Sequence, residues 1–314
     1  MKRSLSLRRA VDFYLRSRRQ LGFDLKTDEK LLRSLLAHAD RVDHEGPLTE
    51  TLVLEWARLP AEANPIWWAK RLLVVRRFGR FWQAFDPKVQ VPPAGVFGSA
   101  NRRRPVHIYT AKEISLLLQS AASLPPAHGL RSETFKTLLG LLACTGLRIS
   151  EALKLQVSDF DHRAGKLMIW RSKAGQSRIV PLQPSSVRAL VAYQSVCQKR
   201  RWRSTANAFF LSEIDTPLAY ETARNTFSAL RKRLNWVMSP RPRLHDLRHT
   251  FAVNRLLTWQ RQKGDAVNQK VLALATYLGH RNIRHTNWYL SAIPELLAVA
   301  SGRLAASRRE VAHE

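Results

Sequence analysis

His245-Asp246-Leu247-Arg248-His249-Thr250-Phe251-Ala252 lies in the C-terminal third of this 314-residue chain. At helical spacing His245 and Arg248 share one face, three residues apart, while Leu247, Phe251 and Ala252 anchor the other side toward a core. An imidazole beside a planar fork of donors suits the charge that develops on a phosphoryl group during transfer. Two other segments carry matching chemistry. In Thr145-Gly146-Leu147-Arg148-Ile149-Ser150-Glu151-Ala152-Leu153, Gly146 lets one helix end and turn, and Arg148 emerges where the next begins. Glu151, three residues on, can hold the guanidinium, although that spacing is also common in plain surface pairs. In Leu278-Gly279-His280-Arg281-Asn282, Gly279 frees the backbone at a helix end, and Tyr289 follows His280 by nine residues.

The charge balance narrows the partner. Lys and Arg number 52 against 24 Asp and Glu, a net charge of +28. Self-repulsion on that scale destabilises a compact chain unless a polyanion neutralises it. No apolar run reaches the roughly 18 to 20 residues of a spanning helix, so a nucleic acid is expected and a membrane is not. Hydrophobic residues make up 45% of the chain, which fits a folded protein rather than a disordered one. The two cysteines, Cys144 and Cys197, sit in no CxxC or Cys/His ligand pattern, and no HExxH occurs among the ten histidines. A reduced, cytoplasmic protein without metal or cofactor is expected, with Cys144 as a small core residue.

The fold expected is mainly α with a small β-sheet. Apolar spacing predicts four helices before residue 86: one through Val11, Tyr14 and Leu15, a second through Leu31, Leu32, Leu35 and Leu36, a third capped by Thr49, and a fourth opened by Asn64-Pro65. The fourth interleaves Trp67, Leu72, Phe78 and Trp82 with Lys70, Arg71, Arg76, Arg77 and Arg80. That helix has either an ordinary solvated face or a face on phosphates; charges of a single sign favour the latter. Pro87, Pro92, Pro93, Gly95 and Gly98 then break the pattern ahead of Arg102-Arg103-Arg104-Pro105. The division expected is a helical domain over 1–97, a basic linker over 98–106, a second domain over 107–300 and a tail over 301–314. In the second domain, Thr110 and Glu113 form a capping box, helices follow over 111–122 and 131–145, and strands near 166–171 and 178–182 flank a loop holding Lys173. Helices resume over 184–199, 219–236, 243–258, 268–278, 283–290 and 294–307. Tyr193, Tyr220, Tyr277 and Trp288 read as core aromatics.

Taken in order, "TGLRISEAL", "HDLRHTFA" and "LGH…Y" resemble the boxes of the tyrosine recombinases, the phage integrase family, over about residues 107–300. The resemblance implies an N-terminal helical core-binding domain ahead of a mixed α/β catalytic domain, in the two-domain form. "NWYLSAIPELL" is similar to members carried on transposons. The implied activity is site-specific cutting and rejoining of duplex DNA through a 3′-phosphotyrosyl link, without metal or ATP. Tyr289 would be the nucleophile, Arg148 and Arg248 would bind the non-bridging oxygens, His245 would assist proton transfer from the phenol, His280 would hydrogen-bond the phosphate, and Lys173 would protonate the leaving 5′-oxygen. A phenol with a pKa near about 10 needs such help at neutral pH.

Lys70, Arg71, Arg77, Arg102, Arg103, Arg104 and Arg178 are the candidate DNA contacts. Four nucleophiles imply a homotetramer on DNA, optionally with related recombinases, in a bacterial cytoplasm on the nucleoid. The apolar face of Ile293, Leu296, Leu297, Ala300 and Leu304 would dock into a neighbouring subunit or pack on its own domain. The alternatives are DNA relaxation of the type IB topoisomerase kind, which needs no defined site, and DNA binding without catalysis.

Overall fold

The computed structural model describes residues 6–102, 105–127, 129–170, 177–200, 207–261, 267–279, 282, 286 and 288. The chain divides into two compact units, Met1–Arg104 and Pro105–Glu314.

The N-terminal unit is four helices: α1 (Leu7–Gln20), α2 (Lys26–Arg41), α3 (Glu50–Ala57) and α4 (Pro65–Trp82). Their boundaries follow local chemistry. Thr49 Oγ1 accepts from the Leu52 N–H, and Asn64 Oδ1 accepts from Ile66 with Pro65 in the first turn of α4. Their apolar stripes meet in one core around Leu32, Leu35, Val53, Trp56, Val75 and Phe78.

The C-terminal unit is helical around a small sheet. Helices α5 (Ala111–Ala122), α6 (Leu130–Thr145) and α7 (Ile149–Ala152) come first, then β1 (Phe160–Asp161), β2 (Lys166–Ile169) and β3 (Arg178–Pro181). Helices α8 (Pro184–Arg200), α9 (Tyr220–Arg233), α10 (Leu244–Arg261) and α11 (Val267–Leu278) complete the described elements. The sheet is antiparallel in the order β1-β2-β3, and Ile169 pairs with Arg178 at its far end. The two-residue β1 is an addition to the expected hairpin; it is too short to leave a period-two signal. The capping box of Thr110 and Glu113 starts α5. One core gathers α5, α6, α8 and α9 around Leu130, Leu138, Tyr193 and Phe210. A second, smaller core joins Phe251, Leu256, Leu274 and Leu278, holding α10 to α11.

Two expectations need correction. Cys144 is exposed, not a core residue: it closes the surface side of α6, where its sulfur accepts the Ser186 hydroxyl at 3.4 Å. Tyr220 is 50% exposed at the start of α9, whereas Tyr193 is buried and Tyr277 lies partly buried against both cores.

Candidate active site

Gly146 begins the construction of the site. It ends α6 in the left-handed region (φ 63°), and a Cβ there would lie 2.6 Å from Phe251 Cδ1. Only glycine meets both demands. The turn it permits delivers Arg148 to the start of α7, where Glu151 reaches back. The Arg148 N–H donates to Glu151 Oε2 at 3.0 Å, and its Nη1 donates to Oε1 at 2.7 Å.

Arg248 arrives from α10 and is almost fully buried. Its Nη1 donates to the Gly146 carbonyl at 2.8 Å and its Nη2 to the Leu278 carbonyl at 2.6 Å. Arg148 reaches the same helix end, with Nη2 on the Gly279 carbonyl at 2.9 Å and Nη1 on the Leu278 carbonyl at 3.4 Å. The last carbonyls of α11 carry the negative end of the helix dipole and are ready acceptors for cations. Two guanidiniums, one 130 and the other 30 residues before Leu278, thus meet at the end of α11.

His245 stands beside them on α10. Its imidazole is held well below the ordinary range, at about 4. Loss of solvent lowers it most, Arg248, Arg148 and Arg243 add to this, and Asp246 opposes them. His245 as a residue is exposed, and the guanidiniums of Arg248, Arg148 and Arg243 disfavour its protonated form. The ring stands edge-on to His249 at 4.8 Å between centroids. Asp246, fully buried, pairs with Arg243 at 2.8 Å. The Thr250 hydroxyl accepts the Tyr109 N–H at 2.9 Å, which ties the incoming chain to α10.

Glu151 lies beneath both forks. Burial alone would raise its carboxyl, but hydrogen bonding and charge from Arg178, and then hydrogen bonds from Arg148, bring it down to about 2. Arg178 donates Nη2 to Oε2 at 2.8 Å and Nη1 to Oε1 at 3.2 Å, and its Nε donates to the Tyr277 carbonyl at 2.7 Å. Arg178 was expected to contact DNA. Its side chain is only 11% exposed and all three of its nitrogens point inward, so it leaves that set.

Arg71 leaves it as well. It is buried in the N-terminal unit, donates to the Trp56 carbonyl at 2.7 Å and lies 3.9 Å above the Trp56 ring. Position 71 falls on the stripe of Val75, Phe78 and Trp82, a periodicity that could have identified it. Lys70 and Arg77, two helical turns apart, are exposed on α4. Arg102 is exposed but folds back, donating to the Ser99 and Phe97 carbonyls. Lys173, His280, Tyr289, Arg103, Arg104 and the expected last helix over 294–307 lie outside the described residues.

Among the described residues, no helix is long and apolar enough to cross a membrane. The sequence matches the phage integrase family over residues 108–295. It is 37% identical to the integrase/recombinase y4rB of Sinorhizobium fredii, an alignment covering 95% of this chain and 97% of that protein. It is 32% identical to the tyrosine recombinase XerD of Mycobacterium tuberculosis, covering 70% and 68% respectively. The fold is that of the Tn1549 transposon integrase, solved with transposon right end DNA: TM-score 0.70 at 19% identity, over 96% of this chain and 100% of that one. The architecture, the shared guanidinium site and these likenesses agree, and the chain belongs to the phage integrase family of tyrosine recombinases.

Proposed function

We propose that the chain cuts and rejoins duplex DNA at defined sites as the recombinase of a mobile element, with Tyr289 as nucleophile. The phenol oxygen attacks the scissile phosphorus, the bond to the 5′-oxygen breaks, and a 3′-phosphotyrosine and a free 5′-hydroxyl result. His245 takes the phenol proton and Lys173 supplies one to the leaving oxygen. Arg148 and Arg248, with His280, stabilise the charge on the non-bridging oxygens. One observation carries this reading: both guanidiniums converge at the end of α11, beside an imidazole held in the neutral form that a proton acceptor requires. The relatives are recombinases and integrases, which favours site-specific exchange over simple relaxation or binding alone.

Lys70, Arg77, Arg102, Arg103 and Arg104 would track the DNA backbone, with the N-terminal unit as core-binding domain and residues 98–106 as the basic linker. The bacterial cytoplasm, on the nucleoid, is the compartment that fits such a substrate. A homotetramer on DNA would supply the four nucleophiles. A cavity of about 350 Å³ bordered by Cys144, Phe251, Trp259 and Tyr277 is apolar enough to receive the face of Ile293, Leu296 and Leu297 from a neighbouring copy. Tyr289→Phe tests the central claim. Denaturing gels of a nicked substrate should show no protein–DNA adduct, while native gels show unchanged binding. An adduct that persists in this variant refutes the assignment.

A further inference from the structure

Arg178 occupies the place where three parts of the site join. It is the first residue of β3 and pairs with Ile169, so the described ends of β2 and β3 meet at its level. Its Nη1 and Nη2 grip the two oxygens of Glu151, and Glu151 in turn takes the Arg148 side chain on Oε1 and its backbone N–H on Oε2. Its Nε holds the Tyr277 carbonyl, one residue before the carbonyl that Arg148 and Arg248 share. The turn at Gly279 makes room for it: a Cβ there would come within 3.0 Å of Arg178 Nη1. Without Arg178, Glu151 keeps one cation instead of two, and the α11 end loses one of the three guanidiniums that satisfy its carbonyls.

The structure assigns Arg178 as a positioning residue for the phosphate-binding fork, acting on Arg148 through Glu151 and on the α11 end through the Tyr277 carbonyl. It does not touch DNA. A bidentate guanidinium–carboxylate pair fixes both distance and plane, so the Arg148 fork is held in orientation as well as in place. Arg148 alone could swing about its side-chain torsions, because 20% of its side chain remains exposed. This inference rests on the proposed role of Arg148 at the scissile phosphate.

The test compares Arg178→Gln and Arg178→Lys with the unmodified protein, and with Arg148→Ala as reference. Each is given DNA with an ordinary scissile phosphate, and DNA in which a methylphosphonate at that position removes the negative charge. On ordinary DNA, Arg178→Gln should form adduct about 10- to 100-fold more slowly, the scale of a misplaced catalytic group. Arg178→Lys, which keeps the charge but not the fork, should fall between. On the methylphosphonate there is less charge for a fork to neutralise, so the deficits of Arg178→Gln and Arg148→Ala should shrink together. DNA affinity and its salt dependence should stay as in the parent; a salt slope lower by about one would mean a lost phosphate contact and would overturn the assignment. An equal Arg178→Gln deficit on both substrates would also overturn it, if Arg148→Ala is relieved. If Arg148→Ala itself gains nothing from the neutral substrate, the role of Arg148 fails first, and the inference about Arg178 falls with it. Thermal unfolding of both Arg178 variants identifies a collapsed fold. If Arg178→Gln does not fold, the same comparison is read from Arg178→Lys.

Discussion

Replacing Glu151 with Gln keeps the shape and most hydrogen-bonding capacity of the side chain while removing the one negative charge between Arg148 and Arg178. Glu151 titrates at about 2 in the folded chain against an ordinary value of 4.5. At about 1.4 kcal/mol per pH unit, that interval is on the order of 3 kcal/mol at neutral pH. The folded value is depressed, so this stabilisation is present above about pH 4.5 and is lost as pH falls toward 2. Glutamine mimics the protonated acid and should forfeit it at every pH. At about 2 to 4 °C per kcal/mol for a unit of this size, the melting temperature should fall by roughly 6 to 12 °C at pH 7. The gap between parent and variant should narrow by about half or more at pH 3. Scanning calorimetry at the two pH values measures both. A drop of only about 1 °C at pH 7, or one that is the same size at pH 3, would refute the view that the carboxylate holds two cations in a shared buried network.

Because His245 is lowered from 6.5 to about 4, its imidazole stays neutral through the physiological range, and the acid limb of adduct formation should lie below about pH 5. A rate profile over that range checks this, and a limb centred between pH 6 and 7 would count against it. Stability has the same sign: between about 6.5 and 4 the unfolded imidazole binds a proton that the folded one does not, so the fold weakens as pH falls. In the N-terminal unit, Lys70→Ala or Arg77→Ala should weaken DNA binding and reduce the salt slope by about one each. Arg71→Ala should lower thermal stability and leave that slope unchanged, since its guanidinium is taken up by Trp56; a reduced slope would contradict its burial.

Local rules made much of the fold readable in advance. Caps at Thr49, Asn64 and Thr110 are chemistry within three residues, and the apolar stripes of α1, α2 and α4 repeat at the helical period. The positions of Arg148, His245 and Arg248 at helix starts follow from the same short-range logic. Arg71 shows where it failed: charge suggested a surface, although the period already put that position on the core stripe. Arg178 and β1 left no comparable local trace. A two-residue strand is too short to alternate, and an arginine at the head of a strand has the same sequence appearance whether it faces solvent or a buried carboxylate.

The amino-acid order alone marked the candidate side chains for the chemistry and set the described helical segments, because periodicity, caps and turn residues act over a few bonds. Only the tertiary structure decided where the cations point. The partners of Arg148, Arg178 and Arg248 are Glu151 and the carbonyls of residues 146, 277, 278 and 279, some more than 100 positions distant. A guanidinium's hydrogen bonds depend on which acceptors the folded chain brings within about 3 Å, and no spacing along the sequence encodes that distance.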